Sequence, residues 1–200
     1  MKATFSLVCL ICFCALMPSC SQSNAGATGL SYKCDTVMFV PVAPIPPAAG
    51  PQPNIHIDTN VKMSSMFGGT IKTSPPYSIG IDYSDETFTY AEAEFTKLVV
   101  TYNDGTDDPG ATAQKLPLRF AARPYEATNS VAGGRIEKTR LLVISGKISG
   151  VISQDKPFTL QLEGNFIKND GSKIPFAIKH KYEVQRDKSI KSWSEVMSGC

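Results

Sequence analysis

FTLQLEGNFIKNDGSKIPFAIKHKYEV, residues 158–184, is the stretch whose reading decides the fold. Phe158, Leu160, Leu162, Gly164 and Phe166 alternate with Thr159, Gln161, Glu163 and Asn165. Asn169-Asp170-Gly171-Ser172 then supplies turn chemistry. Beyond it Ile174, Phe176, Ile178, His180, Tyr182 and Val184 alternate with Pro175, Ala177, Lys179, Lys181 and Glu183. Successive side chains of a strand point to opposite faces, so each run has one apolar and one polar face. Two such runs around an Asn-Asp-Gly turn predict a β-hairpin.

The same period extends outward on the N-terminal side. Ile55, Ile57, Thr59, Val61 and Met63 share a face and predict one half-buried strand from Asn54. Gly68-Gly69 turns the chain, Thr70 to Thr73 returns as a partner strand, and Ser78 to Tyr83 adds a short extended run. In residues 88–102 the apolar parity shifts: Ala91, Ala93 and Phe95 lie on one face, Leu98, Val100 and Tyr102 on the other. One inserted residue near Thr96-Lys97 reconciles both halves, so a bulged strand is expected. Asn103-Asp104-Gly105 closes it, and residues 106–114 read as loop.

Leu116, Leu118, Phe120 and Ala122 alternate into a strand that Pro124 is expected to stop, with loop over 125–134. Gly133-Gly134 then launches a long strand through Ile152, with Gly146 and Gly150 expected at bends or bulges. Residues 189–197 space Ile190, Trp193 and Met197 as a helix would, over a length that also suits a strand. About eight strands without a long amphipathic helix predict an all-β fold, a single antiparallel β-sandwich of immunoglobulin-like or jelly-roll-like type over residues 54–200.

The N-terminal segment sets the compartment. Lys2 followed by an apolar run over 5–17 and Pro18-Ser19 has the anatomy of a secretory signal, residues 1–19. The run is shorter than the roughly 20 residues that cross a bilayer. Met17-Pro18-Ser19-Cys20 resembles the lipobox of bacterial lipoproteins, which implies lipid attachment at Cys20. The competing site lies after Ser23-Asn24-Ala25 and would release a soluble secreted protein. Residues 20–31 are small and polar, as a flexible tether is. Residues 32–53 are an extended segment followed by a proline-dense strap, PVAPIPPAAGPQP.

The chain carries a formal net charge of +2, and removing the signal with Lys2 leaves +1. With no basic block, nucleic acid is not an expected partner. The expected partners are a membrane, through the lipid, and an envelope protein or glycan. Cleavage removes Cys9, Cys12 and Cys14, and Cys20 is lipidated or discarded, which leaves Cys34 and Cys200. In an oxidising compartment they are expected to pair and tie the two ends of the domain together.

Signals for chemistry are sparse. The two histidines, His56 and His180, fall on separate strands, and zinc asks for more nitrogen or thiolate ligands. No Gly-x-Ser-x-Gly is present, and Ser153-Gln154-Asp155-Lys156 matches Ser-x-x-Lys only in letters, at a turn. Trp193 is the sole tryptophan on which a sugar could stack. Glu92 and Glu94 share a strand face and raise the alternative of a carbohydrate-active enzyme. Asp104, Asp107 and Asp108 raise that of a calcium-dependent binding module, without EF-hand spacing. The expectation is a non-catalytic cell-envelope lipoprotein, a binding or structural module with no cofactor, no metal and no catalytic residues.

Overall fold

A computed structural model describes residues 30–42, 50–65, 68–131, 135–197 and 200. The expected signal peptide, Cys20, nearly all of the tether and much of the proline strap lie outside the described residues. The strands are β1 (Ser31–Val42), β2 (Asn54–Asp58), β3 (Val61–Met63), β4 (Gly69–Thr73), β5 (Tyr77–Asp85), β6 (Tyr90–Tyr102), β7 (Leu118–Val131), β8 (Arg135–Ile152), β9 (Phe158–Lys168), β10 (Lys173–Asp187) and β11 (Ile190–Ser192). Two short helices, α1 (Pro109–Thr112) and α2 (Trp193–Met197), complete the elements.

The strands join in the order β2-β5-β8-β7-β6-β9-β10-β1-β4-β3, with β11 beside β1. Neighbours are antiparallel except β1 and β4, which run parallel. The sheet curls over its own apolar face. Phe39 of β1 meets Tyr77 of β5 at 5.2 Å between ring centroids, and Tyr83 of β5 meets Phe166 of β9 at 4.5 Å, although these strands are far apart in the order. The enclosed core includes Ile79, Ile81, Phe95, Val100, Ile144, Ile152, Phe158, Leu160 and Tyr182.

The deciding hairpin forms as its period predicts. β9 and β10 pair from Tyr182 opposite Phe158 to Lys173 opposite Ile167, with the predicted apolar face of β9 buried. Gly171 adopts φ of +83° in the turn, a conformation open to glycine at no steric cost. The predicted bulge in β6 is present as a register shift between Phe95 and Lys97 against β9.

Several expectations are corrected. Among the described residues there are eleven strands rather than about eight, and one pair is parallel. Three-residue strands such as β3 and β11 are too short to show a period. The extended segment set before the domain is β1, a strand within the sheet between β10 and β4. The single strand expected from Asn54 breaks at Thr59-Asn60, β2 pairing with β5 and β3 with β4, so Val61 and Met63 are exposed. β7 runs through Pro124 to Val131 where a loop was expected, and α1 lies within the loop expected over 106–114. Residues 189–197 hold both β11 and α2.

Proline lacks the N–H that a second neighbour would need, and its placement follows that rule. Among the described residues Pro41 has β10 as its only pairing partner, Pro124 has β8 and Pro175 has β9. The glycines divide likewise. Gly150, at φ of +71°, sits where β8 slips against β5, whereas a Cβ at Gly146 would run into the Phe120 ring. Gly146 is therefore a packing glycine, not a bend.

Candidate functional site

β6 ends at Tyr102, and the Asn103-Asp104-Gly105 turn sends the chain back over the end of the sheet. The Gly105 amide donates to the Tyr102 carbonyl at 2.9 Å, and the Tyr102 amide donates to the Thr106 carbonyl at 2.8 Å. Asp108 is fully buried beneath this loop. Its carboxylate caps α1 by accepting from the Gly110 amide at 2.7 Å and the Ala111 amide at 3.3 Å. It also accepts from the Ser153 amide and hydroxyl, each at 2.6 Å, and from the Tyr102 hydroxyl. Burial by itself would raise the Asp108 carboxyl pKa, but bonds from Ser153 and Tyr102 turn the net shift downward. Tyr102 is pushed up to about 12, by burial first and then by Asp108.

A second tyrosine–aspartate pair lies at the same end. The Tyr77 hydroxyl donates to Asp155 at 2.6 Å, and Arg186 reaches the Asp155 carboxylate at 3.5 Å and its carbonyl at 3.2 Å. Burial and Asp155 raise the Tyr77 pKa. Sequence reasoning missed both pairs. The partners of each come from segments whose contact depends on the sheet order, which periodicity does not contain.

The three aspartates suggested for calcium do not converge. Asp104 accepts from the Thr106 amide at 3.0 Å and hydroxyl at 2.5 Å and pairs with Lys156 at 3.2 Å. The Thr106 bonds lead the causes that hold its pKa at about 2. Asp107 accepts from the Thr101 hydroxyl at 2.7 Å, and Asp108 is spent on the cap. Among the described residues no group of three or more His, Cys, Asp or Glu is placed to hold a metal. Ser153 and Lys156 serve different partners, Asp108 and Asp104, and do not form a catalytic pair.

Glu92 and Glu94 are brought together, through a shared cation. Arg119 of β7 contacts Glu92 at 3.3 Å and Glu94 at 2.5 Å, and Lys173 of β10 contacts Glu94 at 2.8 Å. The Glu94 side chain is buried, and its pKa is lowered chiefly by the Lys173 bond, which with Arg119 outweighs burial. A glycosidase acid requires the opposite shift. The arrangement fixes β6 against β7 and β10.

His56 is exposed and lies 3.4 Å from Asp82, while His180 is half-buried 6.2 Å from the Tyr182 ring. Cys34 and Cys200 are joined in a disulfide, with Cα atoms 5.7 Å apart and Cys34 fully buried. A groove beside it is lined by Thr36, Met38, Gln185, Arg186, Asp187 and Lys191. Trp193 lies in α2. No helix among the described residues is long and apolar enough to cross a membrane.

β7 and β8 leave the sheet as a two-stranded ribbon. β6 pairs with β7 only to Ala121, and β5 pairs with β8 only from Leu142, so among the described residues, 125–131 and 135–141 pair only with each other. Against protein-family models, curated protein sequences and solved structures, the chain finds no match.

Proposed function

We propose that this protein is an exported, lipid-anchored and non-catalytic module of the bacterial cell envelope, which binds or braces an envelope protein or glycan. In this reading residues 1–19 are the signal, Cys20 is lipidated, and the curled sheet works as a β-sandwich, β5 and β8 over β9 and β10. The observation that carries the reading is the Cys34–Cys200 pairing. Disulfides persist in oxidising compartments, which agrees with an export signal. The pairing also clamps the chain close to the point where a tether from Cys20 would enter β1.

Register adds a direction. β1 starts beside β11, beyond the end of β10 where Thr36 meets Asp187. The β9–β10 turn lies at the opposite end of those strands, and the ribbon continues past it, since Ala121 is level with Glu92 and Ile167. A lipid at Cys20 would therefore present the ribbon away from the membrane. The buried Glu94 carboxylate that could have served a glycosidase is held ionised by Lys173 and Arg119, which also supports a role other than catalysis.

Detergent phase partitioning and mass spectrometry of the protein from its native host test the anchor. An acylated Cys20 at the mature N-terminus is expected, with Cys20→Ser left unprocessed or released. A soluble mature protein beginning at Gly26 would end this reading.

A further inference from the structure

We infer that the cleft on the outer face of the sheet, where β2 and β8 draw away from β5, binds an acidic sugar, a hydroxylated ring carrying a carboxylate or a phosphate. The inference rests on the binding role proposed above, to which it gives a site and a ligand class, and not on the lipid at Cys20.

Tyr77, Ile79 and Ile81 of β5 enter the core, so Ser78 between them faces outward. Both neighbours of β5 leave it there. β2 pairs with β5 as far as Asp58, opposite Ser78, and the chain then crosses to β3, which pairs with β4. β8 slips in register between Ile148 and Ile152, with Gly150 at φ of +71°, and such bulges often adjoin functional sites. The gap is a cleft of about 440 Å³, whose lining includes Asn60, Lys62, Ser74, Ser78, Lys147 and Ser149. That volume falls within the range of roughly 300–1,000 Å³ typical of small-ligand sites.

The lining selects the occupant. All six of these side chains offer hydrogen-bond donors, and none is a carboxylate. Ser78 is only 2% exposed, yet its hydroxyl enters no side-chain hydrogen bond among the described residues. A buried polar group in that state calls for a partner. Lys147 is paired with Asp58, whereas Lys62 makes no ion pair among the described residues. In the β3–β4 ladder Lys62 stands opposite Lys72, a like-charge arrangement that opposes the pairing. Asp35 of β1 lies opposite Lys72 on its other side, which leaves Lys62 as the cation without a counter-charge. An oxyanion beside Lys62 supplies that charge, and ring hydroxyls, which both donate and accept, match the serines and Asn60. A bare oxyanion would reach only part of the lining, and a neutral sugar would leave Lys62 uncompensated.

Magnetic resonance titration of the full chain in detergent with glucuronate and with glucose 6-phosphate, against glucose and inorganic phosphate, tests this. At least one acidic sugar should shift the amides of Asn60, Lys62, Ser78 and Ser149, with a dissociation constant on the order of 1 mM. Which of the two binds distinguishes a uronic acid from a sugar phosphate as the source of the charge. Glucose and inorganic phosphate should bind at least about tenfold more weakly. Lys62→Ala should weaken binding about tenfold and Ser78→Ala about fivefold, with Lys179→Ala on β10 unchanged. Circular dichroism melts show whether Ser78→Ala folds, and Lys62, exposed on β3, keeps the test decisive if it does not. Shifts from neither acidic sugar overturn the inference, as does equal affinity for glucose or inorganic phosphate, or binding indifferent to Lys62→Ala. Absence of binding by a protein acylated at Cys20 would remove this site and leave the anchor, so the two readings fail separately.

Discussion

The β9–β10 and β7–β8 hairpins are both long antiparallel pairs, and they differ in what lies against their faces. β9 buries alternate side chains along nearly its whole length, and Phe166 near its end still packs on Tyr83, Tyr90 and Phe176 at 4.5, 5.2 and 5.1 Å. β7 starts in the same way, with Phe120 and Ala122 against the core and Ala122 opposite buried Ile144. Continuing along that face, the next positions are Pro124, Glu126 and Thr128, opposite Leu142, Arg140 and Lys138. The strand keeps its ladder and loses its core. Hydrogen bonds shape both hairpins, but apolar burial stabilises only one of them, because a backbone bond exchanged with water contributes little net free energy.

The largest expected effect breaks the buried member. Phe166→Ala should destabilise the protein by about 3–5 kcal/mol, through lost transfer energy and a cavity among three rings. Tyr125→Ala in the ribbon, where the ring is 58% exposed, should stay within about 0.5 kcal/mol. Denaturant melts of the two variants, compared at equal slope, check the contrast. Amide exchange should repeat it without mutation, with residues 158–168 protected to the global limit and residues 125–131 exchanging by local opening. Equal protection of the two hairpins would mean that the ribbon is covered.

Next comes the clamp on the buried side. β1 pairs with β10, and the disulfide closes a separation of 166 residues between β1 and the C-terminal Cys200. Cys200→Ser should cost about 2–5 kcal/mol, near the upper end if loop entropy dominates. The loss should appear as earlier exchange of β1 and β11, with the ribbon unchanged. A melting temperature indifferent to reductant would remove the clamp from the account.

How much of this contrast is legible in the sequence depends on whether the determining contact is local. The 158–184 hairpin announces itself because alternation and turn are adjacent in the chain. The β6 bulge does so because a parity shift from Phe95 to Leu98 needs no partner. The Cys34–Cys200 pairing is expected from the proposed export signal and the number of cysteines its cleavage would leave. By contrast, Pro124 reads as a strand stop, and it is tolerated because β6 has already left β7 at Ala121. The break at Thr59-Asn60 separates strands whose partners, β5 and β4, lie elsewhere in the fold. Of the candidate site residues, Glu92 and Glu94 were placed on one face correctly, but their cations come from β7 and β10. The Tyr102–Asp108–Ser153 cluster left no pattern at all.

That cluster sharpens the comparison by setting a buried charge against surface ones. Asp108→Ala would strip the Tyr102 hydroxyl and the Ser153 amide of their buried acceptor and uncap α1, at a cost of about 1–3 kcal/mol. The sign of its pH dependence follows from the lowered pKa. A carboxylate that ionises more readily when folded contributes stability above the unfolded value of about 3.9, and that contribution is lost as pH falls through the folded value. Asp85, lowered by its Thr87, Thr89 and Tyr90 bonds against burial, acts in the same direction. Tyr102 and Tyr182, both raised to about 12, act at the other end: their contribution holds below about 10 and is lost as pH rises through 12. Melting temperature should therefore fall below about pH 4 in the wild type, and less steeply in Asp108→Ala. Parallel acid limbs in the two proteins would show that Asp108 is not a main source of the slope.

The smallest effect belongs to the ribbon's own charges. Glu126 reaches Lys138 at 3.2 Å and Arg140 at 3.6 Å, but the three side chains are 45%, 63% and 80% exposed. Water and salt screen such pairs, and each must hold a long side chain in one rotamer, so exposed bridges contribute little. Glu126→Gln should change global stability by less than about 0.5 kcal/mol, and the change should vanish at high salt. The ribbon's amides are the better gauge, because their opening is local and reports on the ladder directly. They should exchange modestly faster in Glu126→Gln at low ionic strength, while residues 158–168 show no change. If Glu126→Gln instead lowered global stability by more than about 1 kcal/mol, the charged face of the ribbon would have to be packed rather than solvated. The division between a hairpin held by its core and one held by its ladder would then fail.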